Sequence, residues 1–154
     1  MKIIYVHHAE RNLSYSKDLN LRNKDDITLD GIKEAMLLAK KLKKINVTSI
    51  ITSPYLRCRH TAEILNEGLN VNIIDDDRFN EFKMGETVGE FLKRNMEAIN
   101  DIVTNYNDSD TIICVTSGVN ITAFICYFYG IDVNDSTKLS QAASISPIIF
   151  EYKK

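Results

Sequence analysis

Two adjacent histidines, two arginines and a serine mark places in the chain where phosphate chemistry is possible. In chain order these residues are His7, His8, Arg11, Arg57 and Ser117. Guanidinium groups bind phosphate through paired N–H donors, and the first amides of a helix that begins near Gly118 would add further donors. A histidine in such a pocket can attack phosphorus and form a phosphohistidine that water later hydrolyses. These residue types therefore predict a pocket for a phosphorylated ligand, in which fixed cations spread the developing charge without a metal or another cofactor.

The elements that would position these residues follow from the spacing of apolar residues. Apolar, β-branched runs predict strands over residues 2–6, 47–52, 71–74, 111–115 and 144–152, with Pro147 placing the last one at an edge or a bulge. Helical spacing predicts helices over residues 28–44, 57–66, 87–103 and 118–129, the first capped by Thr28 and the third by a capping box. This alternation predicts an α/β protein, a three-layer α/β/α sandwich around a mostly parallel sheet. Ligands of such sheets bind outside the carboxyl ends of the strands, where His7, Arg57 and Ser117 would meet.

Composition narrows the class of protein. The chain has 154 residues, 44% of them hydrophobic and 26% charged, which is typical of one globular domain spanning residues 1–154. A net charge of −2 gives no bulk attraction for nucleic acid. The longest apolar run, residues 121–131, is shorter than the ~20 residues that span a bilayer. Three cysteines without CxxC spacing favour reduced thiols, and so a cytoplasmic protein.

Four motifs, in order along nearly the whole chain, resemble those of the histidine phosphatase superfamily, also called the phosphoglycerate mutase-like family. Residues 5–12, YVHHAERN, resemble the family's first strand, which ends in Arg-His-Gly or Arg-His-Ala before a Glu. Residues 27–31, ITLDG, are similar to its Leu-Thr-x-x-Gly, and residues 53–63, SPYLRCRHTAE, to its Ser-Pro-x-x-Arg-Ala-x-x-Thr-Ala-Glu. Residues 142–152 resemble its terminal strand. The resemblance implies a phosphoglycerate mutase-like fold.

Carried over by position, the resemblance implies roles for three residues. His8 stands where the family has its nucleophile, and Arg57 where it has a phosphate-binding arginine. Glu81 matches the acid/base glutamate of many members, with Glu86 as a nearby alternative. A buried glutamate with a raised pKa could protonate the leaving oxygen.

The chain departs from the family at two positions. His7 replaces the family's first arginine, and Ser117 replaces the second pocket histidine of a Ser-His-Gly motif. His7 is either a pocket residue, which a bound phosphate would render cationic, or a packing residue. Ser117 either contacts phosphate or only caps a helix. Arg11 or Arg59 could supply the missing charge, and Arg11, three residues past His8, is the better placed.

The resemblance implies a metal-independent phosphatase that hydrolyses a phosphoric monoester or a phosphohistidine through a phosphohistidine intermediate on His8. Its partner would be a small phosphorylated substrate or a phosphoprotein, and neither nucleic acid nor a membrane. The two departures keep a second hypothesis open, a degenerate member that binds a phosphorylated ligand or protein without turnover. A phosphoglycerate mutase is less favoured, because mutases usually carry a longer chain with insertions. The adjacent histidines lack the spacing of a metal site, so no metal is expected.

Overall fold

The computed structural model describes residues 1–15, 17–18, 20–129 and 147–152, apart from the side chains of residues 127 and 128. The strands are β1 (Lys2–His7), β2 (Ser49–Thr52), β3 (Asn72–Asp75), β4 (Thr111–Thr116) and β5 (Ile148–Glu151). The helices are α1 (Leu29–Leu42), α2 (Leu56–Asn66), α3 (Val88–Asn105) and α4 (Gly118–Phe128), with two 3₁₀ helices, Arg22–Lys24 and Asp77–Phe79. Of the predicted last strand, residues 144–146 lie outside the described residues, as do residues 142–146 of the fourth motif.

The strands form a single sheet in the order β3-β2-β4-β1-β5. β1 to β4 run parallel, and β5 pairs with β1 in the antiparallel direction at one edge. The strand that Pro147 was predicted to place at an edge or a bulge lies at the sheet edge, and it begins at Ile148, just after the proline and not before it. The mostly parallel α/β sheet predicted from the alternation of strands and helices is confirmed.

Two layers of helices cover the two faces of the sheet. On β1, Ile3 and Tyr5 point into a core shared with α3 and α4, while Ile4 and Val6 point into a core shared with α1 and α2. This alternation follows from the two-residue repeat of a strand, and burial on both faces explains why β1 is apolar throughout. The predicted three-layer arrangement is therefore present.

Local signals at two helix starts are also confirmed. The Thr28 hydroxyl accepts from the amide of Gly31, and Thr87 with Glu90 forms a reciprocal capping box at the start of α3. No helix in the described ranges is long and apolar enough to cross a membrane.

Candidate active site

The carboxyl ends of three neighbouring strands bring the predicted segments to one edge of the sheet. His7 ends β1 in register with Thr116 of β4, and the His8 amide donates to the Thr116 carbonyl at 2.9 Å. The amide of Ser53, just after β2, donates to the Val115 carbonyl of β4 at 3.0 Å. Hydrogen bonds at the sheet edge thus join the carboxyl ends of β1, β2 and β4.

The imidazole of His8 is buried and has a defined tautomer. Its Nδ1 lies 2.8 Å from the carbonyl oxygen of Ala9, and because a carbonyl can only accept, Nδ1 carries the proton and Nε2 keeps its lone pair. Burial, followed by the nearby charges of His7, Arg57 and Arg11, lowers the pKa of His8 to about 2. His8 is therefore neutral at any ordinary pH and has an unprotonated nitrogen.

Helix α2 fixes the loop that carries His8. The Thr61 hydroxyl donates to the Arg57 carbonyl at 2.6 Å and accepts from the Ala9 amide at 3.0 Å. Because Thr61 lies one turn after Arg57, one side chain connects the arginine's backbone to the residue that orients His8. The Thr-Ala pair of the third motif therefore has a physical function in this chain.

The second motif buttresses the same loop from α1. The Thr28 amide donates to the Glu10 carbonyl at 2.8 Å, and the Thr28 hydroxyl donates to Glu10 Oε2 at 2.6 Å. A Cβ at Gly31 would lie 2.4 Å from the Glu10 carbonyl oxygen. The motif needs glycine there because α1 packs directly on the backbone two residues after His8.

His7 stacks on His8, with ring centroids 4.2 Å apart. Burial lowers the pKa of His7, the charges of Arg57 and Arg11 lower it further, and Glu81 opposes them. His7 is therefore largely neutral near neutral pH in this structure. Near neutral pH, His7 would need the charge of a bound dianion beside it to become cationic, the state that was considered from the sequence.

Arg57 is fully buried and is held by two partners. Its Nη1 donates to the Arg22 carbonyl at 2.8 Å, and its Nη2 lies 2.7 Å from Glu81 Oε1. The second contact has the length of a strong ion pair but not the alignment of a hydrogen bond, since neither Nε nor Nη2 has a hydrogen-bond partner among the described residues. Glu81 thus lies in contact with Arg57, so two of the residues singled out in the sequence are brought together.

Arg22 is the site residue that the sequence did not reveal. Its Nη1 lies 3.7 Å from Glu81 Oε2, and its Nη2 donates to the Phe82 carbonyl. Arg22 belongs to the long polar segment between β1 and α1, where no periodicity separates it from exposed cations such as Lys17 and Lys24. Only the folded backbone shows that it faces Glu81.

The other predicted arginines differ in their surroundings. Arg11 remains near both histidines and places Nη1 3.7 Å from Oδ2 of the buried Asp25. Arg59 instead pairs with Glu63 and Asp75, at 2.9 and 2.8 Å, on the outer face of α2. Of the two candidates for the missing charge, Arg11 lowers the pKa of both histidines through its charge, whereas Arg59 is engaged by two carboxylates.

Arg94 of α3 holds the segment that carries Glu81. Its guanidinium donates to the Asn80 and Glu81 carbonyls at 2.8 and 2.9 Å and pairs with Glu86 at 2.5 Å. Burial alone would raise the pKa of Glu86, but hydrogen bonds from Arg94 and the Lys83 amide outweigh it and lower the pKa. Of the two candidate carboxylates, Glu81 faces Arg57, and Glu86 is engaged by Arg94.

Ser117 is buried at the start of α4. Its carbonyl accepts from the amides of Asn120 and Ile121, and its hydroxyl donates to Asn120 Oδ1 at 2.6 Å. Asn120 Nδ2 in turn donates to Asn95 Oδ1 and to the Asn80 carbonyl, at 2.8 and 3.1 Å. In this structure the Ser117 hydroxyl donates into a chain of buried side-chain amides, and the helix amides bond to the Ser117 carbonyl and not to its hydroxyl.

Within the described part of the chain, no group of three or more His, Cys, Asp or Glu side chains could hold a metal ion.

Solved structures with the same architecture define the fold class. Bacillus stearothermophilus YhfR superimposes with a TM-score of 0.82 at 20% identity, covering 99% of this chain and 91% of that chain. The putative phosphohistidine phosphatase SixA from Agrobacterium tumefaciens gives a TM-score of 0.70 at 14% identity, covering 97% and 90%. At these identities the likeness shows the fold, which is phosphoglycerate mutase-like.

Sequence comparison gives the family. The family model of the histidine phosphatase superfamily (branch 1) matches residues 3–89 and 82–154. The probable phosphoglycerate mutase GpmB of Serratia proteamaculans is 29% identical over 85 residues, which is 55% of this chain and 40% of that protein. Its counterpart in Cronobacter sakazakii is 31% identical, with the same shares. The chain thus matches 40% of the length of these curated relatives, and it belongs to the histidine phosphatase superfamily.

Proposed function

We propose that this protein is a metal-independent phosphatase that transfers a phosphoryl group to His8 and then to water. Its substrate is a small phosphoric monoester or a phosphohistidine of a partner protein. The observation that carries the proposal is the state of His8. A neutral, buried imidazole whose Nδ1 proton is bound by the Ala9 carbonyl leaves the Nε2 lone pair available, close to the guanidinium charges of Arg57 and Arg11.

In the first step the Nε2 lone pair of His8 attacks phosphorus. The N–P bond forms while the bond from phosphorus to the leaving oxygen breaks. The Glu81 carboxylate takes up a proton from the monoanionic form of the entering substrate and gives that proton to the leaving oxygen. The cations around the phosphoryl oxygens stabilise the charge that spreads over them in the transition state. The Ala9 carbonyl stabilises the imidazolium-like product, because it accepts from Nδ1.

In the second step water attacks the phosphorus of phospho-His8. The P–N bond breaks, the Glu81 carboxylate takes a proton from the attacking water, and inorganic phosphate leaves. His8 returns to its neutral form with the proton still on Nδ1. The step consumes one water, and Glu81 passes its proton to the departing phosphate, so every protein group is regenerated.

The test is hydrolysis of an aryl phosphate without added metal, at mildly acidic and at neutral pH. His8→Gln should lower kcat to the background rate, because no other side chain replaces the attacking nitrogen. The matched control is His60→Gln, since His60 pairs with Asp26 on the side of α2 and has no place in the mechanism. Equal activity of wild type and His8→Gln would contradict the proposed nucleophile.

One observation favours a second function, binding of a phosphorylated ligand without turnover. The Ser117 proton is donated to Asn120, and a serine hydroxyl carries no charge for the transition state. Under this alternative the wild type binds inorganic phosphate but does not hydrolyse aryl phosphates. The double variant His7→Arg with Ser117→His should then gain phosphate affinity and turnover, and unchanged values would contradict this account of the two departures.

A further inference from the structure

The carboxylate of Glu81 lies between two guanidinium groups from distant parts of the chain. Its Oε1 is 2.7 Å from Arg57 Nη2, and its Oε2 is 3.7 Å from Arg22 Nη1. Both arginine side chains are largely withdrawn from water, with exposed fractions of 0% and 19%. Two guanidinium groups facing one anion, in a place where water screens little, form a strong anion receptor.

The same arginines have donors that the protein leaves unused. Arg57 Nε and Arg22 Nε are buried and have no hydrogen-bond acceptor among the described residues, and Arg57 Nη2 has only the ion contact with Glu81, which lacks the alignment of a hydrogen bond. Buried donors without an acceptor are rare in folded proteins and costly, so each needs a reason. A carboxylate has two oxygens for these donors, whereas a phosphate dianion has more acceptor oxygens and a greater charge. The unused donors therefore point to an anion larger than the Glu81 carboxylate.

The backbone also couples the two arginines. Arg57 Nη1 donates to the Arg22 carbonyl at 2.8 Å, so the guanidinium of one residue fixes the position of the other. Arg22 Nη2 reaches the carbonyl of Phe82, the residue after Glu81. Arg22, Arg57 and the Glu81–Phe82 segment therefore contact one another, so a substitution in one of them is expected to shift the other two.

We propose that Arg22 is a phosphate-binding residue, and that a bound phosphate dianion takes the position between Arg22 and Arg57 that the Glu81 carboxylate occupies in this structure. The inference rests on the proposed function, because it names a further ligand of the same phosphate. Glu81 moves aside when the dianion enters and remains next to it. Arg22 then supplies a fork of N–H donors that neither His7 nor Ser117 can provide.

The test measures the affinity for inorganic phosphate by calorimetry, in mildly alkaline buffer where phosphate is a dianion. Arg22→Gln should weaken phosphate binding on the order of tenfold or more, the usual effect of a lost charged hydrogen bond. The matched control is Lys24→Gln in the same 3₁₀ helix, an exposed cation whose loss should change the affinity less than about twofold.

A third variant separates ligand binding from support of the Glu81 segment. Arg22→Lys keeps the positive charge, so it should retain more phosphate affinity than Arg22→Gln, while the melting temperatures of both variants remain similar. If Arg22 only donates to the Phe82 carbonyl, Arg22→Gln should bind phosphate at least as tightly as Arg22→Lys, because glutamine can also donate to that carbonyl.

The outcomes distinguish this inference from the proposed function. Wild-type binding and hydrolysis with an unchanged affinity in Arg22→Gln would overturn the role of Arg22 alone. A wild type that neither binds phosphate nor hydrolyses an aryl phosphate would overturn both.

Discussion

Glu81 is expected to affect both phosphate binding and turnover, and one substitution should change the two in opposite directions. As a carboxylate Glu81 pairs with Arg57, where it would compete with a bound phosphate. In the proposed mechanism it becomes protonated and then gives that proton to the leaving oxygen. Glu81→Gln removes the charge and the transferable proton together. It should therefore tighten the binding of inorganic phosphate while it slows turnover.

The size of the slowing should depend on the leaving group. For an alkyl phosphate, whose alkoxide leaves poorly, kcat should fall by ~10²–10⁴, the range expected for loss of a general acid. For an aryl phosphate with an acidic phenol the fall should be much smaller, because that phenolate leaves without a proton. Steady-state kinetics on both substrates gives the comparison.

The control is Glu63→Gln, which removes an exposed carboxylate that pairs with Arg59 away from the site. Equal losses on the alkyl and the aryl substrate in Glu81→Gln would argue against a general acid at this position.

At the scale of elements, the packing of α1 on the loop after β1 controls the placement of His8. The loop backbone leaves no room for a side chain at position 31, because a Cβ there would lie 2.4 Å from the Glu10 carbonyl oxygen. Gly31→Ala should destabilise the protein by about 1–3 kcal/mol, the usual cost of overpacking. It should also lower kcat, since the backbone that yields is two residues from His8.

Gly89→Ala is the matched control for this change. Gly89 lies in the exposed first turn of α3, and a Cβ there meets nothing within 4 Å. Alanine should leave kcat unchanged and stabilise the protein by up to about 1 kcal/mol, because it favours helix more than glycine does. Chemical unfolding and the aryl phosphate assay measure both variants, and equal behaviour of the two would contradict the close approach of α1.

The helices and strands could be predicted from the sequence more fully than the side-chain contacts between them. The regular spacing of apolar residues located the four α-helices found among the described residues, and the Thr87–Glu90 capping box is present with its predicted partners. The 3₁₀ helix Arg22–Lys24 has no such signal, because three polar residues within a long polar segment show no periodic spacing of apolar residues. Arg22 was missed for this reason, since its place depends on the Arg57 and Phe82 contacts, which join residues far apart in the chain.

At the scale of the whole molecule, the burial of His8 as a neutral imidazole makes the stability of the protein decrease in acid. The pKa of His8 falls from 6.5 in an exposed chain to about 2 in the folded protein. Below about pH 6.5 the unfolded chain binds a proton at His8 that the folded protein does not bind, so acid favours unfolding. At about pH 5 this single residue should lower the free energy of unfolding by about 2 kcal/mol relative to neutral pH.

Urea unfolding of wild type and His8→Gln between neutral pH and about pH 5 measures this effect. The variant should lose less stability over that range, by about the same 2 kcal/mol, because glutamine does not titrate. His7 and the carboxylates contribute to both proteins and cancel in the comparison. Parallel curves for the two proteins would contradict the buried neutral state of His8.

The overall architecture could be predicted because it follows from patterns that one sequence contains. Alternating strands and helices gave the mostly parallel sheet, and the positions of His8 and Arg57 after strand ends placed them at one edge of it. The pairing of Glu81 with Arg57, and the commitment of the Ser117 hydroxyl to Asn120, could not be predicted. Both depend on side-chain directions that only the packed structure defines.

The order of strands in the sheet has a consequence for how the protein is synthesised. β1, which leads to His8, lies between β4 and β5, the two described strands that come last in the chain. A ribosome therefore synthesises β1 and His8 well before the two strands that flank β1 in the sheet. The growing chain must hold an apolar strand without either neighbour until residues 111–116 and then residues 148–151 have been made. Such distant pairings are slow to form, so we expect β1 to gain its two sheet neighbours, and His8 its final position, late in folding.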